Sequence, residues 1–450
     1  MSVAAQDSTE TVWPSGPAAW WTLTVLTLGV AVGTIDRSVI SLLVAPIKRD
    51  FAMTDTQFSL VTGFAFVFFY AIVGLPVSRL ADVYSRRLII ACSMLFWGTA
   101  TMTCGITQTY MQLFWARVGV GAGESAFSPA TYSVVTDSFR PAKLPAAMAM
   151  LGIGFTLGTA FANFVGGAMV HLLEGTGGFT LPLIGHIRSW QIVFLATGAP
   201  ALLLALLMAT THEPTRKGYR DRAIRDRRRA VPIADVMRYI GYEWRIFVPI
   251  FTVLAVNVIV SFGMTLWVPA LFTRTFGWQI GEIAFALGMI ALIASPAGLW
   301  TGVKLAGWLT ARGSRDANLR VLAIATTATA PFTIMFALAP SGGIALGLFA
   351  ASQFLYYMGQ APNNAALQII VPNEMRGQVR AIYQFVFNVV GYGLGPLIVA
   401  LFTDRLFHGD QYLRYSIALM AACLSPFAIL AVWFGLRPYA DALHRSRAWS

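Results

Sequence analysis

The regular alternation of long apolar stretches with short polar links is the feature that most constrains this chain. Charged residues make up 12% of the chain, which is about half of their usual share in soluble proteins. Too little polar surface remains to coat a soluble fold of this size. Twelve stretches reach the roughly 20 residues that an α-helix needs to cross a bilayer. We therefore expect an all-α membrane protein with twelve transmembrane helices, spans 1 to 12, at residues 19–46, 57–78, 87–107, 110–137, 144–172, 190–211, 246–273, 279–308, 318–338, 343–371, 377–404 and 411–436.

The placement of the basic residues predicts the orientation of these spans. A net charge of +12 is also typical of proteins that bind nucleic acids. If both termini are cytosolic, however, 24 of the 32 Lys and Arg residues fall in cytosolic segments, as the positive-inside rule requires. The excess positive charge is therefore a topology signal, and we expect cytosolic termini and no nucleic-acid partner.

A long polar interruption divides the chain into two halves of six spans each. The predicted organisation is a cytosolic tail, an N-terminal six-helix bundle, a basic cytosolic linker, a C-terminal six-helix bundle and a second cytosolic tail, at residues 1–18, 19–211, 212–245, 246–436 and 437–450. The linker contains the run RKGYRDRAIRDRRR. This run is either a solvated topology anchor or a helix that lies on anionic lipid head groups.

Four ionisable residues lie deep within spans 1 and 4, namely Asp36, Arg37, Arg117 and Glu124. An isolated charge inside a membrane is costly, so these groups are expected to pair or to face water. Counting from the outer helix ends places Asp36 and Arg117 at similar depths of about 12 and 10 Å, which predicts contact between them. Glu124 lies two turns beyond Arg117 on the same helix face.

The proton affinity of a buried carboxylate changes when an arginine moves towards it or away from it. We therefore predict that Asp36 and Glu124 are proton-coupling residues. Arg37 and Arg117 would act as charge-switch partners and would contact an anionic head group of the cargo. The alternative is a permanent salt bridge that locks span 1 to span 4.

The second half offers neutral polar side chains at the positions that correspond to spans 1 and 4. Asn257 lies in span 7, and Tyr357, Gln360 and Asn364 follow one face of span 10. We expect these residues to line the substrate cavity, although polar side chains that hold helices together would produce the same pattern.

The sequence contains no pattern that indicates catalysis, a metal site or a cofactor. Cys92, Cys104 and Cys423 all lie in apolar stretches without zinc-site spacing. A glycine-rich phosphate loop of the type that binds ATP is also missing. We expect neither an enzyme nor a primary pump, and no cofactor.

The link between spans 2 and 3 contains Asp82, Arg86 and Arg87 within the run SRLADVYSRR. A carboxylate followed by two arginines predicts a cytosolic latch between helices, with an ordinary basic loop as the alternative. The run resembles the loop signature of the major facilitator superfamily, in which Gly, Arg and Gly stand where this chain has Ser78, Val83 and Ser85. This resemblance implies two pseudo-symmetric six-helix bundles, the major facilitator fold.

Three further motifs resemble the Spinster branch of that superfamily: Ile35-Asp36-Arg37, the run RVGVGAGES from Arg117 to Ser125, and the run ARGSR from Ala311 to Arg315. The resemblance implies a monomeric, proton-coupled secondary transporter in the bacterial inner membrane. Its substrate would be an amphiphile similar to a lysolipid or sphingosine phosphate, moved by alternating access. The alternative is a proton-coupled carrier of drugs or small nutrients.

Overall fold

The computed structural model describes residues 13–14, 16–173, 178–181, 185–216, 232–372 and 374–446. Most of the basic run in the linker lies outside the described residues. In the N-terminal half the helices are Gly16–Val39, Ile40–Leu43 and Val44–Phe51 in span 1; Asp55–Ser59, Leu60–Phe64 and Ala65–Val83 in span 2; Arg86–Cys104 in span 3; Tyr110–Glu124 and Phe127–Ser138 in span 4; Leu144–Leu173 in span 5; and Ser189–Leu207 with Met208–Thr210 in span 6.

The C-terminal half begins with a short helix, Ile233–Tyr242. Its six spans are Trp244–Leu271 with Phe272–Phe276 (span 7), Ile280–Ala311 (span 8), Ala317–Ala337 (span 9), Gly342–Ile370 (span 10), Arg376–Val386, Phe387–Leu394, Gly395–Leu401 and Phe402–Leu406 (span 11), and Asp410–Tyr412 with Leu413–Ser446 (span 12).

Helix packing in one half is repeated in the other. Span 1 packs on spans 5 and 6, span 3 on spans 4 and 6, and span 2 on span 4. The same pairs recur when six is added to each number: span 7 packs on 11 and 12, span 9 on 10 and 12, and span 8 on 10. The halves meet through span 5 against span 8, span 2 against span 11 and span 1 against span 7. This repeated packing confirms two pseudo-symmetric six-helix bundles.

Ten helical segments in the described part of the chain are long and apolar enough to cross a membrane. The two remaining spans are 4 and 10, and each has its own reason for falling short. Span 4 is broken between Glu124 and Phe127, because Pro129 has no N–H to donate to the carbonyl of Ser125. Span 10 is a single continuous helix, whose polar side chains lower its hydropathy.

One loop departs from the purely helical expectation. Residues Phe179–Leu181 pair antiparallel with Gly185–Ile187 and form a two-stranded hairpin between spans 5 and 6. The sequence predicts only a loop at this place, because two three-residue strands are too short to produce a pattern of alternating hydrophobicity.

Ion pairs join the two halves at one end of the molecule. We call the end that links spans 1 and 2 the outer end, and the opposite end the inner end, following the expected orientation. Arg274 in span 7 donates through Nη1 and Nη2 to Asp55 in span 2, at 2.7 and 2.9 Å. Lys48 also binds Asp55, and it reaches Asp410 at the start of span 12 at 2.7 Å. Thr56 donates its backbone N–H to Asp404 at 2.6 Å, so the outer end is closed.

Candidate functional site

The first buried ion pair joins spans 1 and 4. Arg117 donates through Nη1 to Oδ2 of Asp36 at 3.1 Å, and both residues are 1% exposed. Thr101 in span 3 donates its hydroxyl to the other carboxylate oxygen of Asp36 at 3.0 Å. Both Asp36 oxygens are therefore satisfied from neighbouring helices. The structure brings together the two residues whose matched depths predict contact.

The second buried ion pair joins the same two spans. Arg37 donates through Nε to both oxygens of Glu124 at 3.1 Å, and its Nη2 also binds Oε1. The approach depends on Gly33, one turn before Arg37, because a Cβ atom there would lie 2.8 Å from Oε1 of Glu124. The Glu124 side chain is 3% exposed and that of Arg37 is 17% exposed, so the arginine is the member of this pair that solvent or a ligand can reach.

A phenylalanine of span 2 lies between the two arginines. The guanidinium of Arg37 lies 5.4 Å from the ring centre of Phe66, and that of Arg117 lies 5.5 Å from it. Gly121 allows span 4 to approach this close, because a Cβ atom there would overlap the backbone carbonyl of Phe66. Cation–π contacts in a dry site are worth about 2 kcal/mol, so the ring supports both cations where water is excluded.

Sequence reasoning misses Thr101 and Phe66. A threonine and a phenylalanine in apolar helices resemble ordinary lipid-facing or core residues, and only the packing of spans 2 and 3 against span 4 brings them to the charges. The glycines of the Gly119–Gly123 run are the one signal in the sequence that indicates unusually close helix contact there.

The predicted cavity residue Asn257 is held inside the C-terminal half. It donates to Thr326 in span 9 at 3.0 Å. Together with Ser261, Gln353 and Tyr356 it lines a small internal cavity between spans 7, 9, 10 and 12. The cavity has room for about one water molecule, so Asn257 contacts polar groups of its own half in this state.

The three predicted residues of span 10 share one partly exposed face. Asn364 donates to the backbone carbonyl of Gln360 at 3.0 Å, and its side-chain oxygen accepts a hydrogen bond from Arg380 in span 11. Tyr357 lies one turn before Gln360, with its ring against Tyr356. A bound molecule that contacts Asn364 would compete with Arg380 for the side-chain oxygen of Asn364.

Among the three residues of the predicted cytosolic latch, Arg86 makes most of the contacts. Arg86 is 1% exposed and binds Asp137 at the end of span 4, as well as the carbonyl of Pro214 at 2.7 Å. Its backbone N–H donates to Glu213 at 2.8 Å. Arg87 is exposed and donates to the carbonyl of Thr211 at 3.1 Å. Asp82 lies in the last turn of span 2, and its side chain lies outside the described part. The arginines therefore bind groups of the N-terminal half and of the first residues of the linker.

Comparison with known proteins gives a consistent result. The family model of the Major Facilitator Superfamily matches residues 26–396. An MFS-type efflux pump of Mycolicibacterium smegmatis is 27% identical over 428 residues, which are 94% of this chain and 93% of the relative. The sphingosine-1-phosphate transporter SPNS2 of Mus musculus is 21% identical, over 90% of this chain and 74% of its own.

Solved structures show the same fold. A bacterial homologue of the human lysosomal transporter Spinster, in an inward-facing and unoccupied conformation, superimposes with a TM-score of 0.75 at 23% identity. The match covers 97% of this chain and 98% of that one. The resemblance to the Spinster branch expected from the short motifs is thus confirmed in sequence and in fold.

Proposed function

Because this chain belongs to the Major Facilitator Superfamily, we propose that it is a proton-coupled secondary transporter for an anionic amphiphile. Its family makes it an integral membrane protein that moves a small molecule across the bilayer. We further propose that protons drive the transport, that the cargo is an anionic amphiphile, and that the two halves expose the cargo to each side of the membrane in turn. It also assigns the protein to a bacterial inner membrane, as a monomer with both termini in the cytosol.

The observation that carries the proposal is the unequal exposure of Arg37 and Glu124. The arginine side chain is 17% exposed and the glutamate 3%, so an anionic head group can approach Arg37 while Glu124 stays out of water. An anion that binds Arg37 competes with Glu124 for the guanidinium. Glu124 then loses its counter-ion in a low-dielectric site and takes up a proton.

Asp36 is the other proposed proton site, and we propose it as the main one. It is buried, and its charge is balanced by Arg117 and by the hydroxyl of Thr101. A helix movement that separates span 1 from span 4 would remove the guanidinium from the carboxylate. The proton affinity of Asp36 would then differ between the two conformations, which is what coupling to a proton gradient requires.

An amphiphilic cargo fits the unequal chemistry of the two halves. The N-terminal half provides Arg37 for an anionic head group, and span 10 provides Tyr357, Gln360 and Asn364, which have no net charge. The sequence similarity to SPNS2, a sphingosine-1-phosphate transporter, over 90% of this chain supports an amphiphilic cargo.

A second candidate function is proton-coupled export of drugs or uptake of small nutrients. The 27% identity to an efflux pump over 94% of the chain favours this alternative. The two are separated by a matched pair of substrates: a lysophospholipid and the same head group without its acyl chain.

The experiment uses purified protein in liposomes with an imposed pH gradient. We expect the lysophospholipid to be moved and to change the internal pH, and the head group alone to do neither. Transport of the head group, or of neutral drugs only, would favour the alternative and contradict the amphiphile proposal.

A further inference from the structure

Arg380 of the C-terminal half carries a positive charge that no carboxylate balances. It lies in the helix Arg376–Val386 at the start of span 11 and is partly exposed. Its Nη1 donates to the side-chain oxygen of Asn364 in span 10, and its guanidinium carbon lies 5.2 Å from the ring centre of Tyr383. The ion pairs within the described part of the chain do not include Arg380. Its charge is therefore held by a neutral amide and an aromatic ring.

Two buried side chains fix the place of this guanidinium. Tyr383 follows Arg380 by three residues, so both side chains lie on the same side of the helix. The Tyr383 side chain is buried, and its hydroxyl accepts a hydrogen bond from Asn363 in span 10 at 2.9 Å. The ring of Phe251 in span 7 lies 6.5 Å from the Tyr383 ring. The aromatic face that Arg380 contacts is thus held by spans 7 and 10.

Other arginines within the spans are paired differently. Arg37, Arg117 and Arg274 each bind a carboxylate. A guanidinium has five N–H groups, and the hydrogen bond to Asn364 uses only one of those of Arg380. An ionised side chain within a span is costly and indicates a functional site. Arg380 has both the charge and the donors that an oxyanion requires.

Arg380 extends the neutral polar face of span 10 towards the inner end. Tyr357, Gln360 and Asn364 share that partly exposed face. Asn364 lies about 9 Å along the helix from the inner end of span 10, and Arg380 lies about 6 Å from the start of span 11. Arg37, by contrast, lies nearer the outer end of span 1. Each half therefore provides one accessible arginine, and the two are at different depths.

We infer that Arg380 and Asn364 form a second oxyanion-binding site, which takes up the phosphate or carboxylate group of the cargo at the inner end of the C-terminal half. The inference rests on the proposed function in one respect, namely that the cargo carries an anionic group. Arginine binds such groups through two parallel N–H···O bonds. The oxyanion would replace the amide oxygen of Asn364 as acceptor and would balance the charge of the guanidinium, which the amide does not.

The test measures equilibrium binding of three radiolabelled probes to the full-length protein in nanodiscs of phosphatidylcholine, a lipid without net charge. The probes are lysophosphatidic acid, a monoacylglycerol with the same acyl chain but no phosphate, and glycerol 3-phosphate, which has the phosphate but no acyl chain. Binding to empty nanodiscs is subtracted. The ratio of the Kd values of the two amphiphiles isolates the contribution of the phosphate group.

Removal of the guanidinium should abolish most of this contribution. In Arg380→Gln we expect the Kd of lysophosphatidic acid to rise about tenfold, because hydrogen bonds to a charged group are lost, and the Kd of the monoacylglycerol to stay the same. Arg376→Gln is the matched control one turn earlier. Arg376 is exposed and donates to the carbonyl of Val371 at 3.4 Å, and its replacement should leave both Kd values unchanged.

A second variant keeps the arginine and fills the site from within. Asn364→Asp places a permanent carboxylate beside Arg380, so it should weaken binding of lysophosphatidic acid as strongly as Arg380→Gln does. The new ion pair should at the same time preserve or raise the thermal unfolding midpoint. A merely structural role of Arg380 would not combine intact stability with lost binding, and this variant decides the question if Arg380→Gln does not fold.

Repeating the measurements in Arg37→Met with Glu124→Gln separates the two proposed anion sites. We expect part of the preference for lysophosphatidic acid over the monoacylglycerol to persist there and to disappear when Arg380→Gln is added. If the preference depends on Arg380 but not on Arg37, the proposed role of Arg37 fails and that of Arg380 stands. If only glycerol 3-phosphate binds and its binding depends on Arg380, the amphiphilic cargo fails and the site stands. An unchanged preference in Arg380→Gln or in Asn364→Asp, or no binding of either phosphate probe, would overturn the inference.

Discussion

Arg37 of span 1 and Glu124 of span 4 form a hydrogen-bonded ion pair in which the guanidinium binds both carboxylate oxygens. Five residues beyond Glu124, Pro129 interrupts the regular helix. The pair therefore lies at a break in span 4, where a small change in helix direction moves the carboxylate relative to the arginine. Together with Asp36 and Arg117, this pair gives the interior of the N-terminal half two acidic and two basic side chains.

The stability of the fold should depend on both members of this pair. Removing one partner of a buried ion pair costs about 3–5 kcal/mol, because the remaining charge has no counter-ion. We expect Arg37→Met to lower the thermal unfolding midpoint in detergent strongly, and Arg37→Met with Glu124→Gln to recover most of the loss. Arg238→Met removes an exposed pair with Asp235 and serves as the control. A double variant less stable than Arg37→Met would argue against the pairing.

The hydroxyl of Thr101 should stabilise the buried pair of Asp36 and Arg117, because it donates to the carboxylate oxygen of Asp36 that Arg117 does not bind. Thr101→Val would leave that oxygen without a donor, and a hydrogen bond to a charged group is worth about 1.5–3 kcal/mol. We expect the thermal unfolding midpoint of Thr101→Val in detergent to fall clearly. Thr103→Val, on the exposed face of the same helix, should leave it unchanged, and equal midpoints in the two variants would contradict the role of Thr101.

Gly63 should control how closely spans 2 and 11 approach. A methyl group there would lie 2.5 Å from the carbonyl oxygen of Tyr392, so Gly63→Ala must push the two helices apart. We expect the distance between spin labels at two exposed residues of the outer end, Arg49 and Leu406, to increase and molecules open at that end to accumulate. Gly74→Ala, in the same span, would make only an ordinary contact at 3.5 Å with Ser125. Equal distances in the two variants would contradict the tight contact between the halves.

The two arginines of the predicted latch should differ in importance. Arg86 is buried and binds Asp137 as well as the carbonyl of Pro214, whereas Arg87 is exposed. We expect Arg86→Met to cost about 3–5 kcal/mol of stability and Arg87→Met about 1 kcal/mol or less. Thermal unfolding of both variants under identical conditions measures this difference. Equal losses would show that the burial of Arg86 does not stabilise the inner end.

The sequence predicts the spans and the buried charges well, because both follow from the cost of exposing polar groups to lipid. The depth of Asp36 and Arg117 can be counted along the helices, so their contact is predictable. The contact between Arg37 and Glu124 is harder to predict from the sequence. It depends on the distances between spans 1, 2 and 4, which are determined by the packing of Phe66 and Gly33.

Other parts of the site cannot be read from local sequence. The π-helical segments at Leu60–Phe64 and Phe387–Leu394 arise where helices of different halves press together, and no local propensity encodes them. Tyr392 has no distinguishing pattern beyond its place in a glycine-rich run. Its carbonyl lies against Gly63 of span 2, and only the packing of the two halves produces this close approach.

We propose that the buried carboxylates of Asp36 and Glu124 couple proton movement to transport. The most direct test reconstitutes the unaltered protein, Asp36→Asn and Glu124→Gln in liposomes and records the internal pH when a lysophospholipid is added. We expect substrate-dependent proton flux with the unaltered protein, and loss of that flux in both variants while exchange of labelled substrate across the membrane persists. Proton flux of unchanged size and pH dependence in both variants would show that neither carboxylate couples protons to transport.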